Sequence, residues 1–508
     1  MITKTAKDEI ESYLLDTSNL QEGFADRVVF PTTAAEVTDV LGEAASTHTP
    51  VTVSGAGTGT VGGRVPFGGI IISTEKLNQI GDITINKDNE GNISGGHAAA
   101  AAGVVLGDFQ RAVESLNLFY PPDPTERTCF LGATVSTNSS GARTFKYGPT
   151  RDYIERVQIA LSTGTLLDVR RGEIFADSDN NITAPCGQGK KIKARLPDYQ
   201  MPATRKHAAG YFAKPGMDLV DLFIGSEGTL GLITEVETKL LPKPEGVMSG
   251  VVFFRHEEPL LAFVSDARER SLKTRVAAIN SSNKIDARAL EYLDRNSLRM
   301  LRQKYTSVPE DAAGAVFFEQ ETDEQTEDAL MSAWLELLEK HDAPLEDAWF
   351  ATNESDRLKI SEFRHHLPVM VNEWLTRTGM RKISTDMAVP DGVFPEVLRF
   401  YRETLTASGV DFIIFGHIGD NHVHVNILPK NEAETSKARE IYLSFVSRII
   451  KVGGTVSAEH GIGKLKVDYL RALFGDEHIR QMAALKRAFD PACILGRGNM
   501  FSAEFLEA

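Results

Sequence analysis

Apolar residues recur along this chain in two rhythms. From about Asp26 to Leu240 they come in short β-branched runs, at residues 50–54, 69–73, 154–161, 165–169 and 230–239, each the length of one strand. Helical spacing over 34–46 and 104–116 lies between them, and the alanine-rich stretch 95–105 reads as a small-residue strand and turn feeding a helix. The mixture predicts an α+β fold. Leu241-Pro-Lys-Pro-Glu245 interrupts the pattern with two prolines and longer helices follow it, so a boundary is expected there, dividing 1–245 from 246–508. Further on the order becomes strand 382–389, helix 391–407, strands 412–417 and 422–428, helix 432–452 and strand 454–459. That succession is the split βαβ of ferredoxin-like folds, and its second helix carries a buried stripe of Ile441, Phe445 and Ile449. A related half is expected within 246–323, with strands near 250–254, 275–280 and 315–320.

A length of 508 residues agrees with two or more domains. Formal net charge is −15, from 55 Lys+Arg against 70 Asp+Glu, and no basic run relieves it, which excludes nucleic acid as a partner. No long apolar run is present and the first lysines precede no apolar core. The expectation is a cytoplasmic protein without a transmembrane segment, peripheral to a membrane only through a partner. Cys129, Cys186 and Cys493 lie far apart with no CxxC, which argues against a disulfide framework or an iron–sulfur site within the chain.

The densest glycine cluster is Val51-Thr-Val-Ser-Gly55-Ala-Gly57-Thr-Gly59-Thr-Val-Gly62-Gly63-Arg-Val-Pro66. Such spacing lets successive backbone N–H groups turn toward a concavity that accepts phosphate oxygens. Gly62, Gly63 and Pro66 forbid the helix of a Rossmann fingerprint, and no GK[ST] makes it a P-loop. A glycine-rich turn between strands is the plain alternative. Two further segments weigh against it: Pro121-Pro-Asp-Pro124 with Leu131 to Gly148, rich in small and hydroxylated residues, and Asp221 to Thr234, which holds Gly225, Gly228 and Gly231.

In order and separation these three segments resemble the FAD-binding half of the vanillyl-alcohol-oxidase-type flavoproteins, the PCMH-type FAD domain. The resemblance implies that Ser54, Gly55, Ala56, Gly57, Thr58, Gly59, Thr60, Gly62 and Gly63 wrap the FAD pyrophosphate. It implies that Pro122, Asp123, Gly132, Ala133, Thr137, Asn138, Ser139, Ser140, Gly141 and Tyr147 line the flavin and ribityl chain, while Gly228 and Ile233 close the adenine end. Asn499, in a C-terminal tail expected to return to the flavin domain, completes the set. The first loop has Ala56 and no histidine, so the FAD is expected to be non-covalent.

Four of the twelve histidines fall between 417 and 460, in Gly416-His417-Ile-Gly-Asp420-Asn-His422-Val-His424-Val-Asn426 and Ala458-Glu459-His460-Gly461-Ile-Gly463-Lys464. Strand alternation puts His422, His424 and Asn426 on one face, and a turn at Gly419 lets His417 meet His424. If the strand ending at Glu459 joins the same sheet, His417, His424 and Glu459 converge. Two imidazoles and one carboxylate with an open position suit a catalytic metal. The alternative is polar pairing along a sheet edge, and Asp420 reads equally as a carboxylate orienting a histidine or as a turn residue.

These two motifs resemble the C-terminal domain of FAD-linked oxidases acting on D-2-hydroxy acids: D-lactate dehydrogenases, D-2-hydroxyglutarate dehydrogenases and the glycolate oxidase flavin subunit. The resemblance implies a ferredoxin-like substrate domain, a divalent metal, zinc foremost, on His417, His424 and Glu459, and His460 as the base. Asn426 would touch substrate or flavin, and Arg364 would bind the substrate carboxylate, its alternative being an exposed helix arginine paired with Glu362 or Glu373. Ser384 stands where D-2-hydroxyglutarate enzymes carry a lysine, which favours a D-lactate-like monocarboxylate, although Lys382 is near enough to reach around. A quinone, a cytochrome, another flavoprotein or an iron–sulfur subunit would accept the electrons, and a homodimer stays open. The rival class is a zinc hydrolase in which the glycine loop is only structural.

Overall fold

Three large β-sheets and a two-stranded one, Asn181–Pro185 with Lys191–Arg195, carry the chain, and a computed structural model describes all of it except residues 188, 278–283, 352, 507 and 508. The first sheet orders Ile2–Lys4, Arg27–Phe30, Ile70–Ser73 and Val51–Ser54, the last three mutually parallel. The helix Ala34–Ser46 makes the crossover between Arg27–Phe30 and Val51–Ser54; Thr33 caps it by accepting from the Glu36 amide, and Val37, Val40, Leu41 and Ala44 form its buried stripe. The second sheet is antiparallel, in the order Ile80–Lys87, Ile93–Ala101, Leu232–Pro242, Ile154–Ala160 and Leu166–Arg170. The alanines of Ile93–Ala101 leave room for the short helix Leu131–Ser136, whose Gly132 amide donates to Ala102 O at 2.8 Å. A Cβ on Gly132 would come within 2.5 Å of Ala102 Cβ, so the glycine sets this approach.

The third sheet runs Trp349–Ala351, Gly246–Phe254, Gly314–Thr322, Ala287–Asp294, Phe412–Gly416, His422–Ile427 and Ile383–Ser384, with Met387–Ala388 on the outer flank of His422–Ile427. All its pairs are antiparallel, and Ala287–Asp294 against Phe412–Gly416 joins the two halves. Helices Phe394–Ser408 and Glu432–Lys451 form where they were expected, and Ile441, Phe445 and Ile449 are buried.

Two expectations fail here. Residues 275–277 end the helix Glu257–Ala277 instead of starting a strand, and the remainder of that expected strand lies outside the described residues. The omitted strand is Ala287–Asp294, buried along its whole length. The other failure is the closing strand at 454–459, of which only a single bridge, Thr455 to Ala388, is formed. Asp386 explains this: its side chain accepts from the Glu459 amide at 3.1 Å and the His460 amide at 3.0 Å, and its carbonyl from the Ala458 amide at 2.9 Å. Donors that a ladder would use are engaged by one residue, which also divides the expected strand 382–389 into Ile383–Ser384 and Met387–Ala388.

Candidate functional site

Where Val51–Ser54 ends, the glycine segment bends around the guanidinium of Arg64. Arg64 donates from Nε to Leu15 O and from Nη1 to Gly55 O, both at 2.9 Å, and also holds Ser12 O. Gly57 has φ +85°, and a Cβ there would lie 2.5 Å from Arg64 Nη1. The carbonyls of Gly55, Gly57, Thr58, Gly59, Val61, Gly62 and Gly63 all accept protein hydrogen bonds. Among the described residues none of the N–H groups from Gly55 to Arg64 donates to a protein acceptor. A loop with its carbonyls engaged and its donors free is an anion cradle.

The loop borders a cleft whose wall also draws on Gly132, Ser136, Glu227, Gly228 and Leu232. Of the expected flavin residues, Gly55, Ala56, Gly57, Thr58, Gly59, Gly63, Gly132, Ala133, Thr137, Gly228 and Ile233 line it. Ser54, Thr60 and Gly62 belong to the same segment without forming its wall. Asn499 stands behind the loop, donating to Gly63 O at 2.9 Å and accepting from Lys464 Nζ at 2.7 Å. Asn138 is tied to the Arg151 amide and His207 O, and Ser139 to Thr137. Pro122, Asp123, Gly141 and Tyr147 lie off the cleft: a Cβ on Gly141 would meet Asp123 O at 1.9 Å, Asp123 pairs with Arg143 and Arg127, and Tyr147 packs edge-on to Phe119. The free donors and the small-residue lining suit FAD.

His460 also lines this cleft, and behind it stands the histidine cluster. His417 Nδ1 meets Glu291 Oε1 at 2.6 Å and His424 Nδ1 meets Thr385 O at 3.1 Å. With both Nδ1 atoms so engaged, both Nε2 atoms face Glu459 Oε1, at 3.3 Å and 3.2 Å. A tetrahedral ion with bonds of about 2.0–2.1 Å spaces its ligands by roughly 3.3 Å. The donor set therefore fits a zinc-sized cation. His422, on the same strand face, belongs to the group, its Nδ1 3.9 Å from Glu459 Oε2 and its Nε2 3.3 Å from Asp386 Oδ1. The left-handed residue of the turn between the strands is Asn421, φ 54°, whereas Gly419 packs closely, a Cβ there lying 3.0 Å from the Phe145 ring.

Electrostatics sort these groups. Against its burial, Lys206 and His417 hold the Glu459 carboxyl well below the usual range. Burial opposes a proton on His417, yet Glu291 raises it to about 9. Burial lowers His422 to about 3 and His460 to about 4. His460 stacks on His424, centroids 5.4 Å apart and planes 11° apart. Arg364 pairs with neither Glu362 nor Glu373 but donates to Glu291 Oε2 at 3.0 Å, so one carboxylate joins it to His417. Asn426 is buried opposite Ser384, both of its amide atoms without a protein partner. The Asp420 amide donates to His417 O at 3.0 Å, as a turn residue would, but among the described residues its carboxylate bonds no histidine ring and its charged neighbour is the buried Lys206, at 3.6 Å.

Sequence reasoning did not single out Arg64, Lys206, Glu227, Glu291 or Asp386. Arg64 was the most visible of them, as the sole cation in the glycine segment.

Comparison with known proteins bears on this arrangement. A family model described as FAD binding domain matches residues 25–170, and one described as FAD linked oxidases, C-terminal domain, matches residues 259–500. A D-lactate dehydrogenase of Anaerostipes hadrus is 30% identical, over 93% of this chain and 89% of its own. The chain belongs to the FAD-linked oxidases. The glycolate oxidase subunit GlcD of Bacillus subtilis is 29% identical over 96% of this chain and 92% of its own, and a D-2-hydroxyglutarate dehydrogenase of Stutzerimonas stutzeri 24% over 98% and 96%. A solved structure of alkyldihydroxyacetonephosphate synthase shares the fold, with TM-score 0.66 and 16% identity over 97% of this chain and 81% of its own. This FAD-linked oxidoreductase is thus an α+β protein, an FAD-binding domain joined to an oxidase C-terminal domain. The hydrolase reading is set aside. Among the described residues no helix is long and apolar enough to cross a membrane.

Proposed function

We propose that the protein oxidises a D-2-hydroxy acid, foremost a D-lactate-like monocarboxylate, to the 2-keto acid. The supporting observation is that His417, His424 and Glu459 present three donor atoms to one point beside His460, whose imidazole also borders the glycine cleft. The residues from Ser54 to Gly63, with Gly132, Ala133, Thr137, Gly228 and Ile233, would hold non-covalent FAD. Bound FAD supplies a two-electron acceptor, and a bound divalent metal, zinc foremost, supplies a Lewis acid that lowers the pKa of the substrate hydroxyl.

This chain's own residues do the rest. Arg364 gives Nε and Nη2 to Glu291 while its Nη1 meets His365 Nε2 at 3.1 Å, and by exchanging that last contact it would receive the substrate carboxylate. Asn426, with a free donor and a free acceptor, orients the substrate oxygens. His460 is kept neutral by burial, so its ring nitrogen is ready to take the hydroxyl proton. Asp386, accepting the His460 amide at 3.0 Å, fixes where that ring stands.

Lys382 supports a second substrate. It precedes Ile383–Ser384, so alternation puts it on the face of Ser384, Asn426 and His424, and among the described residues it makes no ion pair. A free ammonium there suits the distal carboxylate of D-2-hydroxyglutarate.

The test is an anaerobic titration of the flavin-loaded protein with D-lactate, glycolate, D-2-hydroxyglutarate and the L-isomers. Bleaching of the visible flavin band by D-lactate foremost is expected. A band bleached only by L-acids, or by no 2-hydroxy acid, would refute the proposal.

A further inference from the structure

The two carboxylate oxygens of Glu459 face different neighbours. Oε1 lies 3.3 Å from His417 Nε2 and 3.2 Å from His424 Nε2, on the side where an ion would sit. Oε2 lies 3.0 Å from the Lys206 ammonium and accepts from Ser140 Oγ at 3.3 Å. Lys206 is completely buried, and its other acidic neighbour, Asp420, is buried as well. Both donors reach Glu459 from the first half of the chain, across 253 and 319 residues.

Resting on the metal reading above, we propose that Lys206, aided by Ser140, is a positioning residue that confines Glu459 to one-oxygen coordination and so keeps a place at the metal open for the substrate hydroxyl. A carboxylate with both oxygens free can chelate, and a chelating Glu459 would occupy the position a catalytic site leaves vacant. The ammonium and the serine hydroxyl hold Oε2 by two hydrogen bonds, one of them charge-assisted. The same positive charge withdraws electron density from the ligand oxygen and repels the ion. The metal is then held less tightly, and is a stronger Lewis acid, than the same three donors would make it elsewhere.

Two effects follow from removing that charge, and they separate positioning from mere structural support. If Lys206 only held loops together, its loss would loosen the metal. If it restrains Glu459, its loss frees Oε2 and tightens the metal. Cobalt(II) reads both quantities, since its visible bands weaken as coordination number rises.

The experiment titrates metal-stripped, flavin-loaded protein with cobalt(II) and compares the parent with Lys206→Met and Ser140→Ala. For Lys206→Met, tighter cobalt binding by about 10- to 100-fold, the scale on which outer-shell partners alter metal affinity, is expected together with weaker visible bands. Ser140→Ala should shift both readouts the same way and less. If Lys206→Met fails to retain flavin, the double variant Lys206→Met/Asp420→Asn, which removes one charge of each sign, takes its place with the same expectation. Weaker cobalt binding, or unchanged bands, in a folded variant would overturn the proposal. A parent protein that binds no cobalt would overturn the metal reading itself, an outcome distinct from any seen only in the variants.

Discussion

Lys486 offers the sharpest test of how the tail is fastened to the flavin-binding half. Its side chain is 2% exposed, and its ammonium donates to Asp490 Oδ2 at 2.7 Å, Thr229 O at 2.8 Å and Leu495 O at 2.8 Å. Thr229 follows Gly228 of the cleft, and Leu495 is bridged to Val51 at the start of the strand that feeds the glycine segment. Burial pulls this lysine below its ordinary pKa, and Asp490 opposes that. Lys486→Met keeps the bulk and removes the charge. It leaves a fully buried carboxylate without its counter-ion, which costs about 3–5 kcal/mol, and two carbonyls without donors, which cost about 1–3 kcal/mol each and do not simply add. We expect a loss of about 5 kcal/mol, comparable with the whole stability of many domains. The assay is guanidinium unfolding followed by tryptophan fluorescence and by release of flavin, with both midpoints moving down together. Adding Asp490→Asn should recover half or more of the loss, because the orphaned charge goes while an amide oxygen still serves the Leu495 N–H. A loss under about 1 kcal/mol, or a double variant no better than the single, would refute the reasoning.

Other outcomes follow from the same geometry. His460→Ala should retain flavin and metal while stopped-flow flavin reduction slows by roughly 10²- to 10⁴-fold, and a near-normal rate would remove His460 from the base role. Arg364→Ala should raise the apparent substrate constant by about 10²-fold or more, the scale of a broken buried charge pair, and an unchanged constant would leave Arg364 as Glu291's partner alone. Glu227 accepts from the amides of Ile462 and Gly463 at 2.6 Å and 2.7 Å, just past His460. Glu227→Gln exchanges one of those acceptors for a donor at about 1.5–3 kcal/mol, so flavin reduction should slow by about 10- to 100-fold with flavin content unchanged, and a rate within twofold would show the clamp to be dispensable. Lys382→Ala should leave oxidation of a monocarboxylate nearly unchanged, and a collapse there would count against D-lactate as the substrate.

The metal-type triad was legible because its signal is local. Period-two spacing in His422–Ile427 and the short turn from His417 bring the histidines together whatever surrounds them. Glu459 reached its place by a route the pattern does not express: a loop held by Asp386 rather than a strand in a ladder. Glu291 was hidden because Ala287–Asp294 is buried on both faces, so its polar residues show no alternation to read. Lys206 and Arg64 act across long separations, Lys206 on Glu459 and Arg64 on Leu15 and Ser12, and pairing at such range leaves no trace in a single sequence. The glycine segment was legible as a cradle, whereas Asp123 and Tyr147, expected beside the flavin, meet Arg143 and Phe119 instead.

The contacts of Ser140 with Glu459 and of Asn499 with Gly63 cross 319 and 436 residues. During synthesis the cradle emerges early, while the carboxylate, the imidazole of His460 and the tail that backs the cradle leave the ribosome about 400 residues later. The cradle and the residues proposed to act beside it therefore become available at different times. Translating chains stopped before Glu459 and finding substrate-driven flavin reduction in them would contradict this order.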